Sequence, residues 1–131
     1  MFLSQLNSDE KGAFLKLAHY IARCDGDFSE AEVNTISTYC IEMQIEDIEY
    51  NDSKFDLESI LNKFKSEESR KIVLLEIMAL IYSDGLEERE QKILDKMVEV
   101  FNLAKELEVT YSEWTQSILK ISAKGYDLIY S

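Results

Sequence analysis

Apolar side chains recur at every third or fourth position through most of this chain, and that spacing is typical of amphipathic α-helices. The apolar stripes and the residues that flank them predict six helices, over about residues 8–24, 29–43, 56–65, 66–83, 87–102 and 112–124. The buried stripe of the second helix is predicted to include Val33, and the inward face of the fifth is predicted to consist of Ile93, Leu94, Met97, Val98 and Phe101. The fourth helix is apolar on nearly all sides, which predicts a central and buried position. Residues 44–55 have no clean period and are predicted to form an acidic connector.

The segment 126–130, which follows Gly125, is apolar and aromatic. Two roles are open for it. It is apolar enough to dock on the body of the protein, and it is equally suited to form a strip that binds a partner. Such a contact would also build an oligomer, with the aromatic residues Tyr111, Trp114, Tyr126 and Tyr130 at its centre.

The dipeptide Asp-Gly occurs twice, at Asp25-Gly26 and at Asp84-Gly85, and an apolar helical run precedes each turn while an acidic helix start follows it. The two halves align with a shift of 59 residues before the turn and 58 after it, which leaves Asp27 without a counterpart. Apolar residues then meet apolar residues at every core position. The alignment predicts an all-α fold, a compact helical bundle of about six to seven helices built on two helix–Asp-Gly turn–helix repeats.

Composition and charge agree with a single helical domain over residues 1–131. The chain has no proline and 4 glycines, and its 26 acidic and 14 basic residues give a net charge of −12. Such a charge argues against a broad basic face for nucleic acid. No signal peptide and no apolar stretch of about 18 residues is present, so the expected location is cytoplasmic. Cys24 and Cys40 form no CxxC motif and are expected to be reduced thiols.

Two interpretations of the Asp-Gly turns are open. In the first they are helix caps, because Gly26 can end a helix in the left-handed conformation and Ser29 with Glu32 can form a capping box for the next helix. In the second they bind a cation. Asp25 and Asp84 lie at the negative C-terminal ends of their helices, a mismatch of about 0.3–1 kcal/mol for each carboxylate. Carboxylate oxygens and helix-end carbonyls are ligands of calcium and magnesium.

No catalytic constellation emerges from the sequence. His19 is the only histidine, and its place beside an apolar stripe predicts a packing or surface role. Neither a Ser-His-Asp or Cys-His pairing nor a Gly-rich phosphate loop follows from the spacing. We therefore expect a protein that is not an enzyme. The alternative is a metal-assisted hydrolase that uses the carboxylates of the two turns.

The pattern of the two turns resembles the tellurite-resistance TerB-like family over about residues 8–102. In the first turn a cysteine precedes Asp25-Gly26 and Glu32 follows the aspartate by seven positions. In the second turn a serine precedes Asp84-Gly85 and Glu90 follows by six. The resemblance implies an all-α domain of about seven helices, with an acidic metal-binding patch at Asp25, Glu32, Asp84 and Glu90. It also implies a bacterial stress-response or membrane-associated complex.

The residues and the resemblance together predict a non-enzymatic TerB-like interaction module that binds a protein partner, with a divalent cation (calcium, magnesium or zinc) at the acidic turns. A similar module at the front of a membrane-anchored DnaJ-type co-chaperone serves interaction. We expect no nucleic acid as a partner and no direct insertion into a membrane. The expected place is the cytoplasm, peripheral to the inner membrane through a partner.

Overall fold

The computed structural model describes residues 1–24, 28–83 and 88–130, and all regular secondary structure in these residues is helical. Two short 3-10 turns occupy Leu3–Gln5 and Asp52–Lys54. The α-helices of the described residues are α1 (Ser8–Ala22), α2 (Glu30–Met43), α3 (Leu57–Leu61), α4 (Glu67–Ser83), α5 (Glu88–Phe101) and α6 (Lys105–Tyr130). The all-α class predicted from the sequence is confirmed.

The first two helices begin at capping boxes. Ser29 accepts a hydrogen bond from the backbone N–H of Glu32, and the Glu32 carboxylate accepts one from the backbone N–H of Ser29, as predicted for α2. In α1 the same reciprocal pair forms between Asn7 and Glu10. Each box satisfies two backbone donors that a helix start leaves unpaired.

The core forms around α4, which packs against α1, α5, α6 and the Leu3–Gln5 turn. Its fully buried residues lie on several sides of the helix and include Val73, Leu74, Ile77, Met78 and Ile81. The predicted central helix is therefore confirmed. The predicted inward face of α5 is also buried throughout, at Ile93, Leu94, Met97, Val98 and Phe101.

Two details of the predicted pattern are wrong. Val33 on α2 is 42% exposed, because α2 packs mainly against α1 and the Leu3–Gln5 turn, which cover a narrow strip of it. The third helix ends at Leu61 instead of continuing to residue 65. Tighter hydrogen bonds from i to i+3 follow it, and they turn Phe64 into the core, where its ring lies edge-on to Phe101 at 6.0 Å between centroids.

The last helix is much longer than predicted, since α6 starts at Lys105 and continues through Gly125 to Tyr130. A glycine in a helix interior costs about 1 kcal/mol relative to alanine, which weakens a helix without ending it. Residues 126–130 belong to this helix and are exposed, so of the two roles left open for them, docking on the body is wrong. None of the described helices is long and apolar enough to cross a membrane.

Candidate functional site

Two of the four predicted acidic site residues, Asp25 and Asp84, lie outside the described residues, and their role stays a prediction. Glu32 is described and is 9% exposed. Its Oε1 accepts hydrogen bonds from the Ser29 N–H at 3.1 Å and the Ser29 hydroxyl at 3.0 Å, so this carboxylate serves the start of α2. Glu90 is half-buried on α5. Within the described ranges no group of three or more His, Cys, Asp and Glu side chains is placed to hold a metal ion.

The end of α1, which precedes the first Asp-Gly turn, lies next to the start of α5, which follows the second. Arg89, in the first turn of α5, donates a hydrogen bond to the carbonyl oxygen of Cys24 at 2.9 Å. Cys24 immediately precedes Asp25 in the sequence. A guanidinium at this position places positive charge at the C-terminal end of α1, where the helix dipole favours a cation. Part of the electrostatic mismatch inferred for that helix end is therefore relieved by a side chain of the protein.

A cavity of about 490 Å³ opens beside this contact. Its lining comes from the end of α1, the Asp52–Lys54 turn, α3 and the start of α5, and consists of Tyr20, Arg23, Cys24, Asp52, Leu57, Arg89, Lys92 and Ile93. Three of these side chains are cations and one is a carboxylate, the reverse of the balance in the whole chain, whose net charge is −12. The described lining therefore favours anions over cations. Binding of a metal ion at this end of the bundle would therefore require the carboxylates of the two Asp-Gly turns.

His19 is the buried member of a polar and aromatic cluster that the sequence did not predict. The side chain is 4% exposed, its Nε2 donates to the Asp47 carboxylate at 2.9 Å, and its Nδ1 accepts a hydrogen bond from Arg23. The Arg23 guanidinium lies 4.0 Å from the centre of the Phe28 ring and 4.9 Å from that of Tyr50. We call these five residues the Arg23 clamp. It ties the end of α1 to the entry of α2 and to the acidic connector.

The hydrogen bonds of the Arg23 clamp fix the tautomer of His19. A ring that donates through Nε2 and accepts through Nδ1 is the neutral imidazole. Asp47 lies 28 positions from His19, so no local spacing could have revealed the pair. The one signal within the sequence is the arginine four positions after the histidine, since residues at i and i+4 share a helix face. The geometry gives His19 a packing role, one of the two roles predicted for it.

Two titratable side chains in or beside the Arg23 clamp, Tyr50 and Cys40, have raised pKa values. Burial and the hydrogen bond that Tyr50 donates to Asp52 at 2.8 Å raise the pKa of the Tyr50 phenol. Burial, together with the nearby Asp47 carboxylate, raises the pKa of the Cys40 thiol. A thiol with a raised pKa is a poor nucleophile at neutral pH. Cys24 and Cys40 are both half-buried, and neither is part of a disulfide within the described residues.

The second unusual surface is the final part of α6, residues 120–130, which we call the arm. Its large apolar side chains are each between 64% and 83% exposed, namely Ile121, Tyr126, Leu128, Ile129 and Tyr130. The charged residues of the arm, Lys120, Lys124 and Asp127, are spaced at i, i+4 and i+7 and so share one side of the helix. The rest of the arm presents an apolar and aromatic face, in which the Tyr126 and Tyr130 rings lie 4.5 Å apart.

An apolar groove of about 550 Å³ lies between α4, the first half of α6 and the N-terminal segment, and we call it the α4 groove. Its lining residues are Phe2, Glu67, Glu68, Lys71, Ile72, Leu75 and Tyr111. The backbone N–H of Phe2 donates to the buried carboxylate of Glu76 at 2.7 Å, which holds the N-terminal wall in place. Glu67 and Glu68 are exposed. A 2.9 Å ion pair with Lys71 lowers the pKa of Glu67.

No match to this chain is found among protein-family models, among curated proteins or among solved structures. The relation to the TerB-like family stays a resemblance in the sequence. The function therefore rests on the geometry of the molecule.

Proposed function

We propose that this protein is a non-enzymatic interaction module of the TerB-like type, and that the arm of α6 is the surface through which it binds a protein partner. The observation that carries the proposal is the exposure of five large apolar side chains within eleven consecutive residues of one helix. Exposed apolar surface on this scale is typical of contact sites, because leaving it in water is unfavourable. The module acts in the cytoplasm, peripheral to the inner membrane through a protein of a membrane-associated complex.

The experiment is site-specific photo-crosslinking in living cells. A photoreactive amino acid replaces Ile129 on the arm or, as the matched control, Ile41 on α2. These two isoleucines have nearly equal exposure, 74% and 77%, and lie on different surfaces. We expect a discrete adduct with a protein, identified by mass spectrometry, from position 129 only. Equal or absent labelling at the two positions would overturn the proposal.

The proposal also includes the internal repeat, in which α1 with α2 corresponds to α4 with α5. What supports it is the burial of residues at matched positions, such as Phe14 with Val73 and Ile36 with Leu94. Both helix pairs are packed together. The Asp-Gly turns that would complete each unit lie outside the described residues.

A divalent cation at Asp25, Glu32, Asp84 and Glu90 is a separate clause of the proposal. Calorimetric titration with calcium, magnesium and zinc tests it, with the double variant Asp25→Asn/Asp84→Asn as the comparison. We expect binding heat and a raised melting temperature in the wild type only. If neither appears, the proposed cation site is rejected and the proposed interaction module is unaffected. The metal-assisted hydrolase depends on the same aspartates and falls with the same result.

A further inference from the structure

We infer that the partner bound by the arm is a second copy of this chain, and that the arm of each copy docks in the α4 groove of the other. The two copies then form a dimer by reciprocal exchange of their arms. The inference rests on the proposed function, because it identifies the partner of the same surface. Three observations carry it: the geometry of α6, the charges of the arm and groove, and the apolar area that they expose.

The arm cannot reach the groove of its own molecule. Tyr111 in the wall of the α4 groove and Tyr126 in the arm belong to the same helix. Fifteen residues separate them, which is about 22 Å along the axis at 1.5 Å per residue. Throughout α6 the described backbone is continuous α-helix. An apolar arm that points away from its own groove can fill an identical groove only in another molecule.

The charges of the two surfaces are complementary. The arm carries Lys120 and Lys124 against Asp127, and is therefore locally positive in a chain whose net charge is −12. The α4 groove has an apolar floor with Glu67 and Glu68 exposed beside it, and only Lys71 opposes them. Two copies of an acidic chain repel each other over most of their surface. The positive arm is instead attracted to the acidic groove of a second copy.

The exposed area is sufficient for a stable dimer. A large side chain such as tyrosine buries roughly 150–250 Å² when it is fully covered, so the five exposed side chains of one arm supply on the order of 600 Å². Two arms and the lining of the two grooves that receive them then bury on the order of 1,400 Å² in total, within the standard range for specific interfaces. A reciprocal exchange also has the closed twofold symmetry that is commonest among dimers.

Sedimentation velocity of the full chain over a range of concentrations tests the inference. We expect a dimer in the wild type and in the control variant Ile41→Lys. An arm variant, Ile129→Lys, and two groove variants, Leu75→Glu and Glu68→Lys, should each raise the dissociation constant by at least about tenfold. Circular dichroism verifies the fold of each variant. Glu68 is exposed, so its variant preserves the test if Leu75→Glu unfolds the chain.

Mixing distinguishes exchange from other dimers. An arm variant and a groove variant that are monomeric alone should together form a heterodimer, because one intact arm still meets one intact groove. A dimer that needs the arm but tolerates both groove variants is an arm-to-arm contact and overturns the inference. So does a monomer at every concentration, including one that binds anionic lipid vesicles through the arm. In these cases an adduct at position 129 with a different protein would leave the proposed function standing, whereas no adduct would remove both.

Discussion

Substitutions at Glu32 distinguish most clearly between two roles for its carboxylate, a helix cap and a metal ligand. Its carboxylate is nearly buried, and it accepts hydrogen bonds from the backbone N–H and the hydroxyl of Ser29. A glutamine can take the same place in a capping box, because its side-chain oxygen accepts the same backbone hydrogen bond. An alanine cannot. The cap interpretation therefore predicts different outcomes for Glu32→Gln and Glu32→Ala.

The magnitudes follow from the hydrogen bonds of the box. Removing a capping side chain costs about 1 kcal/mol, so Ser29→Ala and Glu32→Ala should each lower the free energy of unfolding by about that amount. The melting temperature should fall by about 3–5 °C for a chain of this size. Glu32→Gln loses only the favourable interaction of a negative charge with the helix dipole, about 0.3–1 kcal/mol.

The measurement is urea unfolding followed by circular dichroism, with calcium titration of the same variants. Glu30→Gln is the matched control, because Glu30 is exposed in the same first turn of α2. If Glu32 is a cap alone, Glu32→Gln and Glu30→Gln behave alike in both measurements. A loss of more than about 2 kcal/mol in Glu32→Gln would exceed any dipole effect and refute the cap reasoning. Loss of calcium binding in Glu32→Gln alone would instead make Glu32 a ligand.

Three other predictions follow from the core, the Arg23 clamp and two tyrosines whose pKa is raised. Phe64→Ala should lower the free energy of unfolding by about 3–5 kcal/mol, measured by urea unfolding, because it leaves a cavity against Phe101. Leu57→Ala should lower it by less, because Leu57 is half-buried. Arg23→Ala should lower the free energy of unfolding by about 1–2 kcal/mol in the same measurement, since the guanidinium lies over two aromatic rings. Lys16 is exposed on α1, so Lys16→Ala should leave the free energy of unfolding nearly unchanged. Burial and nearby carboxylates raise the pKa of Tyr39 and Tyr50 above the ordinary value of 10.0. Because the unfolded chain releases those protons first, the free energy of unfolding should fall as the pH rises above 10. Tyr50→Phe should make that fall with pH less steep.

The helices themselves were largely predictable because their signals are local. The capping box of α2 is predictable from Ser29 and Glu32, which are three positions apart, and the inward face of α5 is predictable from the spacing of its apolar residues. The start of α4 and its central place were also predictable, because its sequence offers almost no polar side. Hydrogen bonds and stripes of this kind join residues within one or two helical turns, so the sequence order alone reveals them.

The candidate surfaces depended on contacts between residues far apart in the chain. The Arg23 clamp joins His19 to Asp47, and the hydrogen bond from Arg89 to Cys24 joins residues 65 positions apart. Neither pair has a local pattern, because each is created when α1, α5 and the connector pack together. Burial of His19, and the cationic side of the neighbouring cavity, therefore required the tertiary structure.

The sequence by itself determined that residues 105–130 carry helix-forming and apolar residues, but it did not determine which of them are covered. Coverage depends on the length of the neighbours. At 1.5 Å per residue, α6 with 26 residues is about 39 Å long, whereas α4 with 17 residues is about 26 Å long. The central helix ends before α6 does, and the large apolar side chains at the end of α6 stay exposed in the described part of the chain. The tertiary structure alone decided that the apolar end of α6 is an exposed arm instead of part of the core.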